Sequence, residues 1–145
     1  MKKTNSIFLI LLLSALVGCS ASSNKLRQID VSMTHNSGLI KLDSILMDNG
    51  STKVFFEIID GKQFMAFAPG TYNCFFFMDP ISKKEYNLLS GEGIYFNELV
   101  TGPKKFILTF EKLEEGIKII HLIGGKEALL GGDNTVGFYD IVLEK

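Results

Sequence analysis

The sequence predicts an all-β domain built as an antiparallel β-sandwich of two packed sheets, with a small barrel as the runner-up. Three observations lead there. From Leu26 onward, apolar residues recur in short runs of period two, Gly, Asp, Asn and Pro break those runs at regular intervals, and no long amphipathic helical pattern interrupts them. Twelve Phe and no Trp in 145 residues supply enough apolar surface for one folded core, and the length leaves no room for a second.

Leu26 to Met33 reads as a first strand, and Leu39 to Met47 fits either a second strand or a single helical turn. Val54 to Ile59 and Lys62 to Ala68 flank Asp60-Gly61, a dipeptide favoured in two-residue hairpins because both turn positions need positive φ. These two segments are expected to pair. Pro69-Gly70 suits the centre of a type II turn and leads into a strand over Thr71 to Met78. Glu85 to Leu89 and Ile94 to Leu99 surround Gly91-Glu92-Gly93 as weaker strands.

Phe106 to Leu113 and Ile117 to Ile123 flank Glu114-Glu115-Gly116, a loop consistent with a bulged hairpin, with Phe106, Leu108 and Phe110 on the inward face. Glu127 to Leu130 is expected as one helical turn before Gly131-Gly132, and Val136 to Leu143 as the closing strand. Roughly seven to nine strands at this spacing fit an immunoglobulin-like or transthyretin-like sandwich.

The N-terminus has a different grammar. Lys2 and Lys3 precede the apolar run Ile7 to Val17, the order of a secretory signal peptide. That run is well short of the ~20 residues a helix needs to cross a bilayer. Leu16-Val17-Gly18-Cys19 follows: an aliphatic residue, a tolerant position, a small residue and a cysteine. It resembles the lipobox of bacterial lipoprotein precursors. The resemblance implies cleavage before Cys19, diacylglycerol on its thiol and often a further acyl chain on its new amino group. Two or more chains hold a protein firmly to a membrane, at ~0.8 kcal/mol per buried CH₂.

The expected organisation is therefore a signal over 1–18, an acylated Cys19 with a short polar tether over 19–25, and one β domain over 26–145. By the same resemblance, Ser20, a residue other than Asp after the Cys, permits transfer to the outer membrane, where the domain is expected to face the periplasm. The tether Ser20 to Asn24 reaches at most ~18 Å, so any partner comes close to that membrane.

Lys2 and Lys3 leave with the signal, so the 16 acidic residues outnumber the bases that remain, which argues against a nucleic-acid partner. Once Cys19 is acylated, Cys74 is the only thiol; alternation puts it with Phe76 and Met78, as a small core residue. His35 and His121 have no metal-ligand spacing. His121 alternates with Ile119 and Ile123, as a hydrogen-bonded interior or edge histidine would. Ser44 and Ser82 lack a nucleophile motif, and the glycine-rich spots at Gly124-Gly125-Lys126 and Gly131-Gly132-Asp133-Asn134 read as turns rather than phosphate or calcium loops. No cofactor or metal is implied.

The least ordinary feature is apolar density on both faces of the strands around residues 54–59, 64–67 and 75–78. Either other elements cover these strands, or Phe55, Met65 and Phe76 belong to a surface that meets a partner or a lipid. The expectation is a membrane-anchored, non-enzymatic envelope lipoprotein that docks another envelope protein. In size, anchor and strand content it resembles small outer-membrane lipoproteins of secretion machines. The alternative is a carrier or sensor of a hydrophobic ligand held between the sheets, and the third reading is a carboxylate-based hydrolase.

Overall fold

A computed structural model describes residues 27–30, 38–127 and 136–143. Ten strands follow in chain order: β1 (Arg27–Asp30), β2 (Ile40–Met47), β3 (Ser51–Ile58), β4 (Gln63–Met65), β5 (Phe75–Met78), β6 (Glu85–Glu92), β7 (Leu99–Thr101), β8 (Lys104–Glu111), β9 (Ile119–Gly124) and β10 (Val136–Val142). There is no α-helix among the described residues. Eight strands form one antiparallel sheet in the order β1-β2-β3-β8-β6-β5-β9-β10, while β4 and β7 pair as a separate flap. A sandwich would divide these strands between two facing sheets. One sheet curls into a half-barrel instead, which fits the small-barrel alternative.

The aromatic core records the curl. Phe56 on β3 and Phe138 on β10 stand five strands apart, about 24 Å in a flat sheet at ~4.8 Å per strand. Their ring centroids lie 5.9 Å apart. Phe56 also stacks on Phe106 at 5.1 Å and meets Phe75 at 5.9 Å, and Phe77 meets Phe110 edge-on at 4.8 Å. The concave face is thus filled by rings in geometries that add to simple area burial.

Irregularities in pairing accompany the bend. The register shifts between Leu42 and Ser44 on β2, between Leu88 and Ser90 on β6, and between Phe138 and Ile141 on β10, where Asp140 takes φ 54°. A bulge bends its strand and increases the local twist. It also changes which residues face inward: Leu42 and Ile45 are both buried although three apart, as are Phe138 and Ile141. Three-residue spacing is the helical signal, which is why 39–47 reads either way in sequence; it is a strand.

Several expected pairings differ. The Asp60-Gly61 turn forms, with the Lys62 N–H donating to the Ile59 carbonyl at 2.9 Å, yet of the two central residues only Gly61 has positive φ. β3 has both edges occupied, by β2 and β8, so β4 leaves the sheet and pairs with β7. Likewise β8 pairs with β3 and β6 while β9 pairs with β5 and β10, so no hairpin forms across Glu114-Glu115-Gly116.

β6 runs on through Gly91, and the strand expected over Ile94 to Leu99 does not form over 94–98; β7 begins only at Leu99. A Cβ at Gly91 would lie 2.8 Å from the Phe96 ring. The Pro69-Gly70 turn is present, with Gly70 at φ 78°, but Thr71–Cys74 continues as turn and β5 begins at Phe75. Phe106, Leu108 and Phe110 do share the buried face. The helical turn expected over Glu127 to Leu130 falls mostly outside the described residues.

The two ends of the sheet differ in construction. One end carries the β2–β3 turn, the β5–β6 turn and the β8–β9 connection. There the Asp48 carboxylate accepts the Gly50 and Ser51 amides at 2.8 and 2.7 Å, and the Asp79 carboxylate accepts the Ser82 hydroxyl at 2.6 Å and the Ile81 amide at 2.8 Å. Hydrogen bonds to the ionised form hold both acids below their ordinary range. The other end carries the β4–β7 flap, pinned where Gly102 donates to the Lys62 carbonyl at 2.9 Å.

A Cβ at Gly102 would lie 2.3 Å from the Ile59 carbonyl oxygen. Gly102→Ala is therefore expected to cost about 2 kcal/mol, as overpacking does, read as a lower urea midpoint. A second prediction concerns Tyr86, whose hydroxyl is buried with no hydrogen-bond partner of good geometry. Burial pushes its pKa above 10.0, with the Glu114 backbone amide acting in the opposite direction. The folded chain holds the phenol proton more tightly than the unfolded chain does. Tyr86 thus adds stability that is complete below pH 10 and is lost as pH rises through the folded value. Urea titrations above pH 10 should show Tyr86→Phe losing less stability than the parent.

Candidate docking surface

The flap builds an apolar rim at one end of the sheet. In the β4–β7 register Phe64 pairs with Val100 and Met65 with Leu99. Phe64 points inward and is buried, stacking on Phe106 at 5.8 Å and meeting Phe75 at 6.1 Å. Alternation then turns Met65 and Leu99 outward: Met65 is half-buried and Leu99 is 58% exposed. Leu39 and Phe67 join them around a groove of about 170 Å³ whose floor includes Phe64 and Phe75. Tyr72 and Tyr95 are further exposed aromatics at this end of the sheet.

The three residues singled out from sequence do not converge. Met65 lines the flap groove. Phe55 lies on the convex face of β3, paired with Ile107 of β8, in an open groove of about 370 Å³ edged by Asp43, Glu92 and Lys105. Ion pairs Lys41–Asp43 at 3.2 Å and Lys53–Glu92 at 3.6 Å flank it. Phe76 is only 3% exposed and packs with Ile123 and Met78 in a small cluster of its own. Lys126 sits over its ring at 5.3 Å while holding Glu85 at 2.6 Å. The covered reading therefore applies to Phe76, whereas Met65 borders an exposed rim.

Cys74 is a free, half-buried thiol in the turn before β5, so the expected strand alternation with Phe76 does not apply. It packs against the main core instead. His121 accepts a hydrogen bond at Nδ1 from the Asp140 amide at 3.0 Å, and its ring meets Tyr139 edge-on at 5.3 Å. Ser44 is buried at the β2 bulge, and Ser82 is committed to the Asp79 turn. Among the described residues no group of three or more His, Cys, Asp or Glu is arranged to hold a metal ion. No helix among the described residues is long and apolar enough to cross a membrane. Cys19 and His35 lie outside the described residues.

Leu39 and Leu99 escape the sequence reading because each sits at an end of an expected strand, while Phe67 lies in the apolar run 64–67 without being singled out there. No family model, curated protein or solved structure matches this chain.

The rim and its floor should separate cleanly on substitution. Phe64→Ala is expected to cost about 3–5 kcal/mol, the usual range for a buried Phe. Phe67→Ser and Leu99→Ser should each stay within about 0.5 kcal/mol of the parent, as exposed positions do. Urea unfolding of the three variants measures both.

Proposed function

We propose that this chain is a lipid-anchored envelope protein, held through acylated Cys19 at the periplasmic face of the outer membrane, and that its half-barrel is a non-enzymatic docking module for another envelope protein. The observation that carries the docking part is the apolar rim: Leu39, Phe67 and Leu99 are exposed together beside Met65 on a flap locked in place by Phe64. Clustered exposed apolar side chains on a rigid support are what a protein partner buries. The anchoring part is supported by the signal grammar and Leu16-Val17-Gly18-Cys19.

Two competing readings have less support. A carrier of a hydrophobic ligand would hold it in the concave face, and Phe56, Phe75, Phe106 and Phe138 already fill that space. A carboxylate hydrolase needs poised acids: Asp48, Glu114 and Glu115 do line one groove, but Asp48 is held below its ordinary range by the Gly50 and Ser51 amides and Glu114 pairs with Lys84.

Mass spectrometry of the native protein is expected to find Cys19 as an acylated N-terminus, and Cys19→Ala to leave the membrane fraction. Photo-crosslinkers at Phe67 and Leu99 should capture the same envelope protein in cells, while one at Lys105 on the convex face does not. An unmodified Cys19 thiol sinks the anchoring, and an absence of any neighbour at the rim sinks the docking.

A further inference from the structure

The strand register says which end of the sheet the membrane anchor enters. Arg27 pairs with Met47, and Met47 with Thr52, so β1 starts at the end carrying the β2–β3 turn and runs toward Asp30, opposite Ser44. The eight residue steps from Cys19 to Arg27 span at most ~28 Å even when fully extended. An eight-residue strand is itself about 25 Å long at ~3.4 Å per residue. If the flap end faced the bilayer, Arg27 would stand about 25 Å above it and the connecting chain would be held nearly straight, at an entropic cost in every residue. With the turn end down, the same chain has slack.

The turn end also carries a side chain suited to a lipid surface. Ile81 lies in the β5–β6 turn and is 92% exposed, the most exposed large apolar residue described. Its turn is rigid: Asp79 accepts the Ile81 amide and the Ser82 hydroxyl, and the Asp79 carbonyl accepts the Lys83 amide at 2.9 Å. Lys83 and Lys84 follow it, Lys84 in an ion pair with Glu114, and the neighbouring β8–β9 connection exposes Lys112 and Lys118 alongside Glu114 and Glu115. Ile119 and Val142, paired across β9 and β10, are further exposed apolar residues at this end. An aliphatic tip projecting from a charge-balanced end matches the interfacial region of a bilayer, where apolar side chains bury among the headgroups.

We infer that the turn end of the half-barrel, led by Ile81, rests on the bilayer to which Cys19 is anchored, so that the apolar flap rim is presented away from the membrane toward its partner. The inference rests on the acylation of Cys19 and deepens the docking reading, because it fixes the direction from which a partner approaches.

The test uses the full-length acylated protein, in a Cys74→Ser background, reconstituted in vesicles of phosphatidylethanolamine and phosphatidylglycerol. Single cysteines at Ile81, Leu99 and Lys105 carry an environment-sensitive fluorophore, quenched by lipids bearing a nitroxide in the headgroup region. Quenching is expected to be several-fold stronger at position 81 than at 99 or 105. Equal or stronger quenching at 99 or 105, or none at 81, overturns the orientation while leaving the anchor intact. Mass spectrometry of the same sample reports on Cys19 separately, and an unmodified thiol there overturns both. Circular dichroism of each variant confirms that the sheet is retained.

Discussion

Phe56 has to touch Phe138, and almost everything else in this molecule follows from that contact. The two rings belong to strands separated by four others, so they meet only if the sheet between them closes on itself. Closure of one sheet then removes the need for a second. The concave face becomes an enclosed aromatic core with Phe75 and Phe106, and the flap formed by β4 and β7 caps one end by inserting Phe64 between them. The convex face carries charged pairs such as Lys41–Asp43 and Lys53–Glu92, which are half exposed and contribute little to stability, beside the small apolar cluster of Phe76, Ile123 and Met78.

Much of the strand content was legible because period-two burial holds inside the strands: Thr52, Val54, Phe56 and Ile58 alternate inward on β3, and Phe106, Leu108 and Phe110 on β8. The curl was not legible. It is accompanied by bulges that put Leu42 with Ile45 and Phe138 with Ile141 on the same face, a spacing that in sequence imitates a helix. Periodicity reports local geometry, and a bulge changes it without any distinctive residue. Sheet number depends on where those bends fall, so one sheet and two sheets produce nearly the same strand list.

Turns raise a related difficulty. Asp60-Gly61 reverses the chain as expected, yet a reversal does not choose a partner. Competition for the edges of β3 is decided by β2 and β8, which contribute Leu42, Ile45, Leu108 and Phe110 to the same core, whereas β4 offers one buried aromatic over three residues. The long-range contact with more buried apolar area wins over the nearer one. The candidate surface was half legible for the same reason. Met65 and Phe67 were visible within one apolar run, but Leu39 and Leu99 join them in a cluster only because the displaced flap carries Leu99 to Met65. A Phe within a dense run, such as Phe76, turns out to be covered.

The construction of the two ends carries the functional argument. Carboxylate-capped turns are polar and short, and they leave Ile81 projecting as the most exposed apolar tip of an end that also exposes Ile119 and Val142; aliphatic side chains of this kind suit contact with a lipid interface. The flap end offers several apolar side chains on a support fixed by Phe64, which gives a partner both area and a defined shape. Because β1 begins at the polar end, a chain anchored at Cys19 reaches the bilayer from there with the least extension. An anchor and a docking rim at opposite ends of one rigid sheet let both be occupied together. The same two features at one end would make membrane and partner compete for it.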